Sequence, residues 1–176
     1  MKGAKNLSNP QIFSPMKYNY ITTGEYYSHG RNSIAHGMKN GNPKSISRAA
    51  AEMSKFVSPN VILIPMPGHS GVATYTKDLA EQIAGLTGAK VCDIMRGAIR
   101  ETFYDIKKNG GNVQKDYLGL YLTEELPEGR IMIVDNCIST GTTAAAALDL
   151  TKRGVVLAYA IVGKAKHIVG LTPIEA

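Results

Sequence analysis

The stretch Ile131–Thr143 has the sequence IMIVDNCISTGTT, and it decides the fold of the chain. Its four leading apolar residues predict a buried strand that ends at the carboxylate of Asp135. A turn rich in hydroxyls follows, and an alanine-rich helix begins near Thr143. A strand, a turn and a helix in this order are typical of a parallel α/β sheet, in which ligands bind beyond the carboxyl ends of the strands.

The turn after this strand has the chemistry of a phosphate site. N–H groups at the start of a helix lack partners within the helix, and the helix dipole adds partial positive charge. The turn adds four hydroxyls and one glycine that lets the backbone approach closely: Ser139, Thr140, Thr142, Thr143 and Gly141. We therefore predict a cradle for a phosphate monoester, with Asp135 facing whatever extends from it. The alternative is that Ser139 or Thr142 only caps the helix.

The segments around this stretch predict an open, mainly parallel twisted sheet flanked by helices. Further strands are expected at Val61–Met66, Lys90–Ile94, Leu118–Leu122 and Val155–Ile161. Helices are expected from Ser45 to about Phe56, and from Tyr75 to the stop at Gly88. We divide the chain into an irregular N-terminal segment at 1–43 with a short strand near Tyr18–Thr22, an α/β core at 44–165 and a tail at 166–176.

The sequence Asp-Asn-x-x-Ser-Thr-Gly-Thr-Thr at 135–143, after four apolar residues, resembles the phosphoribosyl pyrophosphate (PRPP) motif of type I phosphoribosyltransferases. That motif has two adjacent acids followed by x-x-Thr-Thr-Gly-x-Thr. Ile64–Gly68, ahead of a helix, is similar to the pyrophosphate loop of the same family. The resemblance covers about residues 59–165, and the order of segments is most similar to the branch related to the competence protein ComF.

The resemblance implies a role for each matching residue. Asp135 and Asn136 would be catalytic, with Asp135 binding the ribose hydroxyls, and Ser139–Thr143 would hold the 5-phosphate. Pro67, Gly68, His69 and Ser70 would bind pyrophosphate through their backbone. Magnesium is the implied cofactor, held by pyrophosphate and ribose oxygens rather than by a protein cage. Asn136 departs from the family, because it stands where a second acid is usual and lacks the charge.

A basic segment at 95–115 lies between these strands. It contains five cations beside two acids: Arg96, Arg100, Lys107, Lys108, Lys115, Glu101 and Asp105. We predict a mobile flap over pyrophosphate, with Arg96 and Arg100 as ligands; the alternative is a solvated loop face.

Other side chains are weaker candidates for this site. His69 could also reach the pyrophosphate, and His36 could line a hood formed by 1–43 over the acceptor. Tyr26, Tyr27 and Tyr104 could stack on a base, although tyrosines in a small core are the default.

The leading functional hypothesis is therefore a phosphoribosyltransferase that uses PRPP and magnesium and releases pyrophosphate, with a nucleobase or an amine as acceptor. One alternative is a regulator that binds PRPP or a nucleotide with little catalysis. Another is a nucleic-acid-related accessory protein like ComF. The hypotheses differ in their partners, since only the last two would use the basic surface to bind nucleic acid.

Composition narrows the class of protein. The 176 residues suit one domain, and a net charge of +6 favours anionic partners. Cys92 and Cys137 form no zinc-binding pattern. The longest apolar run, Val155–Gly163, is about half of what a membrane-spanning helix needs. Met1–Tyr20 has no apolar core of a secretory signal, so we expect a cytoplasmic protein with no membrane contact. A homodimer is implied by the resemblance alone.

Overall fold

The computed structural model describes residues 18–111, 115–163 and 171–173. The strands of this described part are β1 Tyr18–Thr22, β2 Val61–Pro65, β3 Lys90–Val91, β4 Met95–Arg96, β5 Tyr121–Leu122, β6 Arg130–Ile138, β7 Val155–Ile161 and β8 Leu171–Pro173. Its α-helices are α1 Arg31–Lys39, α2 Pro43–Met53, α3 Tyr75–Thr87, α4 Phe103–Lys108 and α5 Thr142–Thr151.

Six of these strands form one sheet in the order β3-β2-β6-β7-β1-β8. Every neighbouring pair in it is parallel, whereas β4 and β5 form a separate antiparallel ribbon. Parallel neighbours need a crossover connection, and helices supply it: α3 connects β2 to β3, and α5 connects β6 to β7. The prediction of an α/β fold with a mainly parallel sheet flanked by helices is confirmed.

Both faces of the sheet are covered, which explains why its central strands are apolar throughout. Leu63 and Val134 belong to the buried layer shared with α1, α2 and α3. Their neighbours in the same strands, Ile64 and Ile133, belong to the layer shared with α5 and the ribbon. Successive strand residues therefore pack into opposite layers, and a polar substitution in either strand would cost burial on one face.

The helix α2 begins earlier than the sequence predicts. Pro43 occupies its first turn, and the Asn42 side chain accepts a hydrogen bond from the Ser45 N–H at 3.1 Å. Asn42 is therefore the N-cap, and Ser45, predicted as the cap, lies inside the helix. A proline at this position loses nothing, because the first N–H groups of a helix have no intrahelical partner.

The N-terminal segment is more ordered than the sequence predicts. The strand near Tyr18–Thr22 is confirmed as β1. The prediction of irregular structure is wrong at Arg31–Lys39, which form the helix α1. Ile34, Ala35 and Met38 form the apolar side of α1 and pack into the core, while Asn32 and Gly37 obscure the helical pattern. The part of this prediction at 1–17 lies outside the described residues.

Two strands extend the sheet beyond the predicted core of 44–165. β1 pairs with β7 on one side and with β8 on the other. β8 lies in the predicted tail, whose residues 166–170 and 174–176 are outside the described chain. The strand predicted at Leu118–Leu122 is shorter, and it pairs with β4 instead of forming an edge of the main sheet.

The sheet changes its direction of winding between β2 and β6. From β2 the chain crosses outward to β3, and from β6 it crosses the opposite way to β7. Neighbouring strands whose connections diverge leave a crevice at their carboxyl ends, where α/β proteins bind ligands. Pro65 and Val134 are the last residues paired between β2 and β6, so the loops that follow them start side by side.

Candidate functional site

The strand β6 continues past the end of β2. After Val134 it runs on through Ile138, and these added residues pair with β7 alone. The prediction that the strand ends at Asp135 is wrong, because β7 offers Ala158 to Ile161 as partners over this stretch. Asp135 and the residues after it consequently form one wall of the crevice between β2 and β6.

Asp135 is a buried carboxylate with one oxygen engaged. Its side chain is 8% exposed, and Oδ1 accepts a hydrogen bond from the Asn136 N–H at 2.7 Å. Burial raises the pKa of Asp135 to about 6, although that hydrogen bond and the charge of Lys39 oppose the rise. Within the described chain, no group donates a hydrogen bond to Oδ2. At neutral pH this carboxylate is therefore largely ionised, with one acceptor oxygen left for a ligand.

Asn136 is turned into the protein. Its side chain is 3% exposed; Oδ1 accepts a hydrogen bond from the Tyr75 hydroxyl, and Nδ2 donates one to the Ala35 carbonyl, each at 3.4 Å. Asn136 thus connects β6 to the first residue of α3 and to α1. These contacts favour a positioning role, and they give no support to the catalytic role implied for it by the resemblance.

Sequence reasoning missed the partners of Asn136. The sequence predicts Tyr75 only as the start of a helix, although its hydroxyl is the signal that separates it from a phenylalanine. Burial raises the pKa of the Tyr75 phenol, so the group stays protonated and able to donate. Burial, with Asp135 close by, also raises the pKa of the Cys137 thiol to about 12, so Cys137 is a poor nucleophile.

The start of α5 gathers the predicted 5-phosphate residues. Gly141 is the N-cap with φ +79°, a left-handed conformation that favours glycine. Ser139 and Thr140 are exposed, Thr142 and Thr143 are half-buried, and the Thr140 and Thr142 hydroxyls are 3.0 Å apart. These hydroxyls are accessible, as a phosphate cradle requires.

The backbone at the start of α5 is also free to bind. The N-cap residue Gly141 has no side chain to cap the helix, and the Thr140 hydroxyl accepts only from the Thr142 N–H, at 3.5 Å. The first hydrogen bond that spans a full helical turn runs from the Ala145 N–H to the Gly141 carbonyl at 2.8 Å. In the part of the chain that the structure describes, the N–H groups of Thr143 and Ala144 have no hydrogen-bond partner. The alternative that Ser139 or Thr142 serves only as a side-chain cap is therefore not supported.

The loop after β2 is held by its carbonyl groups. The Gly68 carbonyl accepts hydrogen bonds from the Gly71 N–H at 3.1 Å and from Nη1 of Arg100 at 3.0 Å. The His69 carbonyl accepts from the Arg100 N–H, and the Gly71 carbonyl from the Gly97 N–H, each at 2.9 Å. Segment 97–100 thus binds one side of this loop along its whole length.

The opposite side of the same loop presents amides. In a planar trans peptide, the carbonyl of one residue and the N–H of the next point in opposite directions. Because the carbonyls of Gly68, His69 and Gly71 face segment 97–100, the N–H groups of His69, Ser70 and Val72 point away from it. Among the described residues nothing accepts a hydrogen bond from these three amides. Consecutive free amides of this kind form an anion-binding concavity.

The structure separates the remaining predicted pyrophosphate ligands. His69 and Ser70 are exposed on the loop, and Pro67 is buried at its start. Arg96 donates from Nη1 to Oδ1 of Asp93 at 2.7 Å, so its charge is paired within the ribbon. Arg100, in contrast, lies directly against the loop.

The basic segment is not a uniform cationic flap. The Lys115 ammonium contacts Oδ2 of Asp149 at 2.7 Å and the Tyr18 hydroxyl at 3.0 Å, which fastens the end of the segment to α5 and β1. Lys108 is exposed, and the side chain of Lys107 is outside the described atoms. The prediction of a flap that closes over a ligand stays a prediction.

Of the weaker candidates, Tyr26 packs against the core, and His36, Tyr27 and Tyr104 are exposed. His36 is exposed on the helix α1. Tyr26 and Tyr27 pack edge to face with ring centroids 4.9 Å apart, and Tyr27 and Tyr104 are 77% and 73% exposed. Tyr27 and Tyr104 are thus outside the core, but nothing places either of them against Asp135.

Comparisons with known proteins leave the family open. A scan against protein-family models finds no match, and neither does a search of curated proteins. In the described residues, no helix has the length and apolar character needed to cross a membrane. The resemblance to type I phosphoribosyltransferases therefore depends on the residues of the two loops, and the site has to be judged on its geometry.

Proposed function

We propose that this chain is a phosphoribosyltransferase, which binds PRPP and transfers its phosphoribosyl group to a nucleobase or an amine. The observation that supports this most is the pairing of two anion-binding loops at the crevice between β2 and β6. One loop offers hydroxyls and helix-start amides, and the other offers a run of backbone amides. A ligand with a phosphate at one end and a pyrophosphate at the other matches two such loops flanking a carboxylate.

Each part of the substrate has a partner in this proposal. Ser139–Thr143 hold the 5-phosphate through hydroxyls and the N–H groups at the start of α5. The amides of the loop at Pro67–Val72 hold the pyrophosphate. Asp135 lies between the two loops on β6, and its Oδ2 accepts hydrogen bonds from the ribose hydroxyls.

Catalysis of this transfer depends mainly on positioning the reactants and on electrostatic stabilisation of the transition state. The acceptor nitrogen forms a bond to the anomeric carbon, the bond from that carbon to pyrophosphate breaks, and its electron pair leaves with the pyrophosphate. The acceptor nitrogen releases its proton to water. Positive charge develops on the ribose ring, where the ionised Asp135 stabilises it in a buried environment. Amides already oriented by the loop stabilise the leaving anion without reorganisation.

Magnesium fits this site as an ion that arrives with its substrate. Within the described residues, no group of three or more His, Cys, Asp or Glu side chains is placed to hold a metal ion. Mg²⁺ keeps several waters and binds largely through substrate phosphates, so PRPP oxygens and water can hold it without a protein cage. When bound, Mg²⁺ would neutralise part of the pyrophosphate charge.

A second candidate function is a PRPP-binding regulator. The specific observation in its favour is that Asn136 stands in place of a second acid and has both ends of its amide engaged by protein. Such a site would retain the phosphate and pyrophosphate loops while giving weak stabilisation to a cationic transition state. Release of pyrophosphate during incubation with nucleobases and amines separates the two functions, since a regulator binds PRPP without consuming it.

Thermal unfolding with and without PRPP and Mg²⁺ tests the site that both functions share. A ligand that binds only the folded state at 100 times its Kd adds about 2.7 kcal/mol to the free energy of unfolding. We expect PRPP to raise the Tm of the wild-type protein, and Thr140→Val to abolish that rise by removing a hydroxyl while keeping the shape. An unchanged rise in this variant would count against the cradle.

Thr87→Val is the matched control for this experiment. Thr87 is the last residue of α3, shortly before the amino end of β3, and its hydroxyl donates to the Ile83 carbonyl at 2.8 Å. This variant loses a hydroxyl as well, so its Tm without ligand is expected to fall slightly. Its response to PRPP is expected to match that of the wild-type protein.

A further inference from the structure

Arg100 contacts the loop after β2 through both its side chain and its backbone. Its Nη1 donates to the Gly68 carbonyl at 3.0 Å and to the carbonyl of Ala98, two residues before it in the chain, at 3.2 Å. Its backbone N–H donates to the His69 carbonyl at 2.9 Å. One residue thus fixes two successive peptide groups of the loop from the side opposite to the free amides.

We propose that Arg100 is a positioning residue, which orients the amides of His69 and Ser70 toward the anion instead of binding the anion itself. This inference rests on the proposed function, because it assigns the pyrophosphate half of that site. It also replaces the expectation that the Arg100 side chain is a direct pyrophosphate ligand.

The orientation follows from the geometry of the two peptides. The Gly68 carbonyl is held within the turn by the Gly71 N–H at 3.1 Å and from outside by Nη1 of Arg100 at 3.0 Å, and losing the second bond loosens a glycine-containing peptide. With Arg100 holding the carbonyls of Gly68 and His69, the N–H groups of His69 and Ser70 are fixed on the other side. A flip of either peptide would place a carbonyl oxygen where the anion binds and would repel it.

The charge of Arg100 adds to the effect. A hydrogen bond from a cation to a carbonyl polarises the peptide, so that its N–H becomes a stronger donor. Burial lowers the pKa of the guanidinium somewhat, but an arginine remains charged at neutral pH. The positive charge therefore acts on the anion through the peptide while the side chain stays behind the loop.

The contact between the loop after β2 and segment 97–100 is so close that it requires glycines at Gly71 and Gly97. Gly71 has φ +82°, and a Cβ at this position would come within 2.5 Å of the Gly97 carbonyl oxygen. Gly97 in turn would place a Cβ 3.1 Å from the Leu118 carbonyl oxygen and 3.6 Å from Nη1 of Arg100. The loop, segment 97–100 and Leu118 therefore form one stack, and Arg100 is its polar link.

Hydrogen exchange of the ligand-free protein separates a positioning residue from a ligand. In Arg100→Gln the Gly71 amide, which donates to the Gly68 carbonyl, is expected to exchange at least about tenfold faster. Arg100→Lys keeps the charge but lacks the planar fork, and a smaller acceleration is expected. Arg130→Gln is the control, because Arg130 is exposed at the amino end of β6 and its substitution removes the same charge.

Binding measurements complete the test. Arg100→Gln is expected to weaken the binding of PRPP and of inorganic pyrophosphate at least about tenfold. It is expected to weaken the binding of ribose 5-phosphate by less than about twofold. Unchanged exchange at Gly71 overturns the positioning role, even if PRPP binding falls, because a direct ligand acts only when the anion is present. If the Gly71 amide exchanges faster in Arg100→Gln but the wild-type protein does not bind PRPP, the contact between Arg100 and the loop is supported. In that case only the proposed function is overturned.

Discussion

The two loops at the crevice are built in opposite ways. The loop after β6 is held by its own residues: Gly141 turns the chain, and the Thr140 and Thr142 hydroxyls contact each other. The loop after β2 has turn bonds of its own, from the Gly68 N–H to the Val72 carbonyl and from the Gly71 N–H to the Gly68 carbonyl, but it is also held from outside by segment 97–100, about thirty residues further along the chain. The comparison shows that one half of the candidate site depends on local sequence, whereas the other depends on the packing of a distant ribbon.

The largest expected effect comes from breaking the outside support. Gly71→Ala combines a left-handed backbone with a Cβ that would lie 2.5 Å from the Gly97 carbonyl oxygen. We expect a loss of about 3 kcal/mol in the free energy of unfolding and a loss of PRPP binding. Urea unfolding and titration with PRPP measure both.

Gly88→Ala is the control for this prediction. Gly88 has a similar φ of +78°, but a Cβ there would meet only Pro59 at 3.7 Å, an ordinary contact. We expect a loss of about 1 kcal/mol from backbone strain and unchanged PRPP binding. Equal losses in the two variants would mean that the contact with Gly97 contributes nothing.

The carboxylate between the loops gives the next effect. Because burial raises the pKa of Asp135 from 3.8 to about 6, the folded state holds its proton more tightly than the unfolded state. This group therefore contributes stability below about pH 4 that is lost as the pH rises to about 6. Asp135→Asn is expected to be more stable than the wild-type protein at pH 8, by up to about 3 kcal/mol, and similar to it at pH 4.

The same variant is expected to lose function. The amide that replaces the carboxylate carries no charge to stabilise the ribose, so pyrophosphate release should fall at least about tenfold. Wild-type activity should rise with pH through about 6 as Asp135 ionises. A variant that is less stable at pH 8 and fully active would contradict both the burial argument and the assigned role.

The smallest expected effect concerns the contact between β6 and α3. Tyr75→Phe removes the 3.4 Å hydrogen bond to Asn136 and is expected to cost at most about 1 kcal/mol of stability. PRPP affinity should change by less than about threefold, because neither residue is assigned to the ligand. A tenfold loss of turnover, measured by pyrophosphate release, would place Asn136 in the reaction after all.

The same contrast explains what the sequence could predict. The start of α5 was predictable, because its hydroxyls and Gly141 are consecutive and their chemistry is local. The role of Arg100 was not, since its partners Gly68 and His69 are distant in sequence and meet it only when the ribbon packs. The order of strands and helices followed from apolar runs, but α1 was missed because Gly37 and its polar neighbours dilute the pattern.

The end of β6 shows the same limit. Asp135 looks like a strand end in sequence, because polar residues follow four apolar ones. The strand nevertheless continues to Ile138, since β7 supplies hydrogen-bonding partners that the local pattern does not contain. Tertiary pairing thus decides how far Asp135 and Asn136 are buried, and that burial sets the pKa on which the proposed chemistry depends.

Amide chemical shifts from NMR titrations with ribose 5-phosphate and with PRPP and Mg²⁺ test the two-loop site most directly. Ribose 5-phosphate is expected to shift the amides of Thr142–Ala144 and leave the loop after β2 unchanged. PRPP is expected to shift these amides and also those of His69, Ser70 and Val72. If PRPP moves neither loop, or moves only residues away from the crevice between β2 and β6, the account is contradicted.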